Sequence, residues 1–503
     1  MTRPVESVAI MGCDAACWLT ALALQRAFGD TGVEVRVVEL PTQLTRSDVF
    51  ATLPTVQGLH RMLRVEESFL VQHCKASFSF GQRFSGWARS LPPFMHAYDT
   101  YGAPMLGVPF LQYWLKARKA GLNLPLEDFS LGAVAAKQGK RALLSEQAAG
   151  FSRAGYGYHL DAMFYLGVVR QLAVEAGVKV ERGVVQATKW EGERLEAVRL
   201  HDGRQVEADL FVDATGPEAL LLRDAPGDGF EPWSRWLPTN RVLTGSAQPL
   251  TPKPAFAQNQ AFRAGWISVL PLQDRTAVSV AFDDEEDEAE SVLETVPALT
   301  GLRVSGEVAS AKLVPGARRR PWIGNCVAIG EAAAALDPLD AVPLHLVQIG
   351  ISHLVTRFPV DADYMQEARR YNELVFDLVC RVRDYQILHY TLNKRRDDPL
   401  WDRARDARPP EELAYKIETF AACGIVPLYD NETFQEPDWT ASLIGHGVVP
   451  DTYDPMVDAM PEAEQMQRFQ QMLGFIAAEI AEMDSVDAYL ETHGSLPSFQ
   501  ANF

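Results

Sequence analysis

None of the six cysteines stands in a CxxC pair and nothing gives the chain a secretory context, so reduced thiols in a cytosolic setting are the expectation. No stretch offers the ~18 uninterrupted apolar residues that a membrane-spanning helix needs. Met1 lies only a few residues before an apolar strand, which leaves no room for a signal peptide. Positive charge is in deficit: 47 Lys and Arg face 66 Asp and Glu, a formal net charge of -19. That balance argues against nucleic acid or anionic membrane as partners. His389, His446 and His493 have no companions at metal-ligand spacing, and no G-x-S-x-G elbow is present. A cytoplasmic protein without a metal is expected.

With 503 residues, 47% of them hydrophobic, the chain can bury one large core or two to three domains. Ser7 to Met11 reads as a buried strand leading to Gly12, Ala15 to Phe28 as an amphipathic helix, and Val33 to Val38 as a second strand ending at Glu39. This is a βαβ unit with an acid where dinucleotide folds hold a ribose hydroxyl. The turn lacks the usual glycines, however. The three fingerprint positions carry Gly12, Asp14 and Cys17. Asp14 places a carboxylate where two phosphates would sit unless it turns away to cap the helix. Cys17 is either a reactive thiol at a helix N-terminus or a small buried residue in place of glycine; the second reading is favoured.

The stretch from Asn325 to Leu354 organises the rest. Val327-Ala328-Ile329 reads as a strand, Gly330-Glu331-Ala332 as a turn and Asp337-Pro338-Leu339-Asp340 as a second break. A helix follows, with Leu344, Val347, Gln348, Ile351 and Leu354 at helical spacing and Pro343 in its first turn. Such a strand, acidic turn, loop and helix N-terminus commonly hold a flavin; an ordinary strand-turn-helix of an α/β core is the alternative. The acidic run Asp283 to Glu288 reads as a solvated loop. A helix from Ala463 to Glu479 would cover a substrate pocket or a dimer face.

Longer stretches carry a resemblance. They are His60-Arg61-Met62-Leu63 with Glu66-Glu67, Arg83 to Trp87, Tyr158-His159-Leu160-Asp161-Ala162, and Asp209 to Gly216. Gly265-Trp266-Ile267-Ser268-Val269-Leu270-Pro271-Leu272, Arg383 to Tyr390, Pro399-Leu400-Trp401, Trp439, Leu443 to Pro450 and Tyr453-Asp454-Pro455 continue it. Together, from Ser7 to about Tyr489, they resemble the flavin-dependent tryptophan halogenases. The resemblance implies an α/β fold: a Rossmann-type, glutathione-reductase-like FAD module with a mixed sheet, plus a helical substrate region. Residues 1-100 and 155-360 would form the FAD module, with a substrate-side sheet inserted at about 217-320. Residues 101-154 and 361-503 would form the helical cap. The implied cofactor is FAD, reduced by a separate flavin reductase, and the implied substrate is an aromatic small molecule. The implied cofactor shell is Gly12, Ala15, Ala16, Glu39, Ala51, Asp213, Gly216, Gly330, Glu331, Pro338, Leu339 and Leu344.

The family chemistry passes hypohalous acid from a flavin hydroperoxide to a lysine, with an acid near the substrate. Here the lysine position carries Ser79, which has no ammonium to offer; Lys75, one turn earlier, reads as a surface residue. The halide run is Ala341-Val342-Pro343, with two hydroxyls and one backbone donor lost. The assisting acid is shortened to Asp340, which also suits a helix cap. Phe50 replaces an acid that contacts the cofactor, and Ser268 replaces the second tryptophan of the signature. The expectation is a divergent paralogue that does not halogenate and acts as the partner subunit of a homologous or cluster-encoded protein. One alternative is an FAD-dependent monooxygenase acting on an aromatic substrate, with Asp340 or His345 as acid or base. An active flavin-dependent halogenase is another. A binding module for an aromatic molecule, suggested by Trp266, Trp401 and Trp439, is set against the more common placing of large aromatics in cores.

Overall fold

The βαβ unit read from the sequence opens the central sheet. In the computed structural model, which describes residues 2–142, 148, 151–227 and 229–494, Ser7–Gly12 pairs in parallel with Glu34–Glu39 on one side and Leu210–Ala214 on the other. Helix Ala15–Phe28 crosses between the first two strands, and Asp14 caps it by accepting from the Ala16 N–H at 3.1 Å. The sheet extends through Lys179–Arg182 at one edge and Cys326–Ala328 with Trp322–Ile323 at the other. Only the last pair is antiparallel. Its inner strands are apolar on both faces, as helix-covered parallel strands must be. The fold is the expected mixed α/β architecture.

A second, seven-stranded sheet contains Ser305–Lys312, Arg241–Ala247, Thr276–Phe282, Gly265–Pro271 and Ala257–Phe262. Gly81–Ser85, parallel to Ala257–Phe262, and Phe94–Ala97 complete it. A small sheet of Val49–Ala51, Gly157–Asp161 and Ser77–Ser79 lies between the two. Helices Glu367–Thr391, Pro399–Asp406, Glu411–Cys423, Glu436–Gly445 and Glu462–Glu482 form the helical region. Trp266, Trp401 and Trp439 are all fully buried. Among the described residues no helix is long and apolar enough to cross a membrane.

One expectation fails here. The acidic run is not simply solvated. Asp283 is buried and, with Glu286, takes the guanidinium of Arg403, while Asp287 takes Arg263. The Arg403 pairs tie the loop to the helix Pro399–Asp406, and the Arg263 pair ties it to the turn between strands Ala257–Phe262 and Gly265–Pro271.

The long helix Glu367–Thr391 also fixes the loop that precedes helix Pro343–Thr356. Gln386 donates its amide to the carbonyls of Asp337 and Leu339, at 3.0 and 2.9 Å. The Asp337 carboxylate accepts from Thr239 at 2.7 Å and from the Tyr390 hydroxyl. Tyr390 in turn accepts from the Trp266 indole N–H at 2.9 Å. All these groups are buried, so breaking one leaves its partners without water to replace it. Tyr390→Phe therefore lowers stability by about 1–3 kcal/mol, read as a lower urea midpoint at unchanged m value; an unchanged midpoint contradicts the latch.

Candidate functional site

Two neighbouring regions collect the residues singled out by sequence. The first is a cavity of about 150 Å³ between the turn at Asp14 and the start of helix Pro343–Thr356. Ala15, Ala16, Gly216, Glu331 and Leu344 line it, with Asp14 and Phe50. Gly12, at the end of the first strand, has no room for a side chain: a Cβ there would lie 2.4 Å from the Ala214 carbonyl and 2.7 Å from Cys17 Cβ. Gly330 holds φ +67, and a Cβ would press on Ala16 and Val347 at 3.0 and 3.2 Å, so glycine is needed on both conformational and steric grounds.

The remaining predicted cofactor residues stand away from this lining. Glu39 is clamped by Arg170, at 2.6 and 3.1 Å, with Arg182 at 3.4 Å. Asp213 is fully buried and accepts from the Thr215 backbone and hydroxyl and from the Leu221 and Leu222 amides. It holds the following loop together. Ala51 lies on the strand that faces His159. Pro338 and Leu339 belong to the loop held by Gln386. Cys17 is buried, and burial followed by the Asp14 charge raises its thiol well above the usual range; the favoured reading as a packing residue stands and the reactive thiol is set aside.

The electrostatics of the cavity do not suit a dinucleotide. Asp14 and Glu331 line the cavity, the exposed Glu218 adds its charge to Glu331, and no Lys or Arg is among the lining residues. Desolvation first, then the Asp14 and Glu218 charges, raise the Glu331 carboxyl, and its exposed side chain keeps that shift modest. A carboxylate about 4 Å from a phosphate costs roughly 4 kcal/mol at an effective dielectric of 20, enough to weaken binding by orders of magnitude. The cavity is also smaller than the ~300–1,000 Å³ of ordinary ligand pockets, and Phe50 occupies part of its wall. The scaffold persists, but the residues do not fit FAD's pyrophosphate.

The second region is the substrate side. Ser79 is buried, with its hydroxyl donating back to the Gly81 carbonyl at 3.1 Å. Lys75 pairs with Asp274 at 3.3 Å and its side chain is a quarter exposed, so it supplies no replacement ammonium. Asp340 is fully buried at φ 57, followed by Ala341 at φ 58. Two consecutive left-handed non-glycine residues cost about 1–2 kcal/mol each. Asp340 does not cap the helix: Val342 is the cap position, with no side-chain bond. Neither Asp340 oxygen has a hydrogen bond among the described residues. His389 Nε2 lies 3.3 Å from Oδ1, close but not aligned as a hydrogen bond.

His345 is held on both sides of its ring. Its two ring nitrogens are taken by Thr55 at 3.2 Å and Thr433 at 2.9 Å, and burial lowers it to about 4. Ser268, at the missing tryptophan position, donates to Asn259; Asn259 donates to Gln82 at 2.8 Å, and Gln82 to the Tyr98 hydroxyl at 3.3 Å. This buried ladder was not visible in the sequence, because its members come from four strands or their ends. Nor was the pairing of His389 with His446 at 2.8 Å. Among the described residues no group of three His, Cys, Asp or Glu could hold a metal.

With this geometry in place, the chain was compared with known proteins. The tryptophan halogenase family model matches residues 7–462. Tryptophan 6-halogenase SttH of Streptomyces toxytricini is 26% identical over 83% of this chain and 84% of its own. Tryptophan 7-halogenase RebH of Lentzea aerocolonigenes is 25% identical over 92% and 94%. Among solved structures, BrvH, a flavin-dependent halogenase from Brevundimonas sp. BAL3, is 31% identical with a TM-score of 0.91, covering 97% of this chain and 99% of that one.

Removing the misplaced carboxylates restores room for phosphate. Asp14→Gly strengthens FAD retention at pH 8 by at least about tenfold, since less than half of the ~4 kcal/mol repulsion suffices for that factor. Retention by the unaltered protein rises as pH falls and Glu331, raised above the ordinary carboxylate range, takes up a proton; Glu331→Gln abolishes that rise. Absorbance of flavin carried through a desalting column reads all three. Tight, pH-independent retention that Asp14→Gly leaves unchanged contradicts the misfit.

Proposed function

Since the chain belongs to the tryptophan halogenase family, we propose that it is a divergent paralogue which does not halogenate by the family's lysine route and which acts as a partner subunit of a homologous protein. One observation carries this reading: Ser79 occupies the lysine position with its hydroxyl turned onto the Gly81 carbonyl, while Lys75 is held by Asp274. Without an ammonium at that point, hypohalous acid has no donor or nucleophile to receive it. The halide run adds to this, because Pro343 at the first turn of its helix has no N–H to offer an anion. Membership implies FAD and a separate flavin reductase, but the misfit at Asp14, Glu218 and Glu331 stands against stoichiometric FAD here. In this reading residues 1-100 and 155-360, with the insert at about 217-320, keep the flavin-module scaffold. Residues 101-154 and 361-503 present the helical cover to a partner.

A second reading, an FAD-dependent monooxygenase on an aromatic substrate, draws on the substrate side. Asp340 is retained beside His389, and the polar ladder from Ser268 to Tyr98 is fully hydrogen-bonded. A hydroxyl buried without a partner costs about 1–3 kcal/mol, so a pocket drifting without constraint would not keep every member satisfied. Asp340 would then serve as the acid or base. The relatives named above as halogenases keep active halogenation as the outcome that the assay must exclude.

The assay supplies FAD, a flavin reductase, nicotinamide cofactor, O2, chloride or bromide, and a panel of indoles and phenols. The unaltered protein yields no halogenated product above the protein-free background. Ser79→Lys alone leaves that result unchanged, because Pro343 still blocks the halide cradle. Chlorinated or brominated product that scales with protein overturns the first reading. Oxygen uptake coupled to hydroxylated product without halide selects the second.

A further inference from the structure

Asp340, His389 and His446 form a buried chain running from the substrate side toward the surface. Asp340 Oδ1 lies 3.3 Å from His389 Nε2, a close approach that a small ring rotation would align into a hydrogen bond, and His389 Nδ1 is hydrogen-bonded to His446 Nε2 at 2.8 Å. Asp340 and His389 have no exposed surface, and His446 is 2% exposed. The two rings come from separate helical segments, 57 residues apart, and aromatic neighbours hold both in place. Phe84 stacks on His389 at 4.5 Å and 11°, Trp87 meets its edge, and Phe94 packs edge-on against His446 at 5.0 Å. Burial first, then His389 and Lys394, lower His446 well below the usual range, so its ring is neutral. A neutral imidazole has one nitrogen with hydrogen and one without, the condition for passing a proton on. Directly beyond His446, the Gly447 carbonyl accepts from the exposed Lys394 ammonium at 3.3 Å.

We propose that His389 and His446 are a proton conduit that connects Asp340 with solvent while the site stays closed. A proton taken up on Asp340 moves from Oδ1 to His389 Nε2. The hydrogen on His389 Nδ1 moves to His446 Nε2, and the hydrogen on His446 Nδ1 leaves to water. Asp340 is again a carboxylate, each ring is again neutral, and one proton has been released. Both histidines are positioning residues in this scheme, since they act through Asp340. The proposal rests on Asp340 as a working acid or base. Its test needs no substrate, so failure of the conduit is separate from failure of that reading.

The test uses full-length protein carrying 15N-labelled histidine. Nuclear magnetic resonance should show scalar coupling between His389 Nδ1 and His446 Nε2. The His389 ring N–H should exchange with solvent quickly despite its burial. His446→Gln keeps a side chain able to donate to His389 but unable to relay a proton; His446→Phe removes both properties. Exchange at His389 slows at least about tenfold in both variants, while amide exchange along helix Glu367–Thr391 stays as before. A purely structural role for the pair predicts unchanged His389 exchange in His446→Gln, and that result overturns the proposal. So does the absence of coupling between the two rings. If His446→Phe does not fold, His446→Gln decides alone.

Discussion

The buried carboxylate of Asp337 is the constraint on which the substrate side depends. It joins Thr239, from the segment leading into the second sheet, to Tyr390 on the long helix. Gln386, one turn earlier on that helix, holds the adjoining backbone. Burial raises the Asp337 carboxyl to about 6; its hydrogen bonds oppose that shift. The loop so fixed has little freedom left when it reaches Asp340 and Ala341, whose left-handed backbone is unfavourable on its own. The latch therefore determines where Asp340 sits and why it remains beside His389.

The same loop leads into the helix whose first turn faces the flavin-type cavity, and there the balance is reversed. Helix N-termini and glycine turns draw phosphate because backbone N–H groups and the dipole point at it. Here Asp14 spends the first amide of its helix on its own carboxylate, and Glu218 and Glu331 add like charge. A dinucleotide fold thus survives with its phosphate attraction cancelled. On the substrate side Ser268 and Ser79 have instead found partners, Ser268 in the ladder to Tyr98 and Ser79 on Gly81, while Asp340 remains without a hydrogen bond among the described residues.

Local elements were legible in the sequence because they rest on periodicity and caps. The strand at Ser7, the helix from Ala15 to Phe28, the capping role of Asp14 and the proline start at Pro343 all follow from neighbours in the chain. The family was legible because its motifs span the chain. What escaped depends on distant packing. Nothing near Asp213 shows that its carboxylate serves backbone amides eight and nine residues on. His345 reads as a free imidazole until Thr55 and Thr433 occupy both nitrogens. Asp340 looks like a cap until its left-handed backbone turns it inward, and the His389–His446 pair exists only because two helical segments meet.

The central claim is that the cavity has kept a flavin scaffold while turning against phosphate. Calorimetric titration with riboflavin, FMN and FAD at pH 8 tests it most directly, since the three share one ring system and differ in phosphate. The account predicts that riboflavin, which carries no phosphate, binds more tightly than either FMN or FAD, each of which brings about two negative charges at pH 8. Affinity that rises toward FAD would show that the carboxylates at Asp14, Glu218 and Glu331 do not oppose the dinucleotide, and the account would fail at its centre.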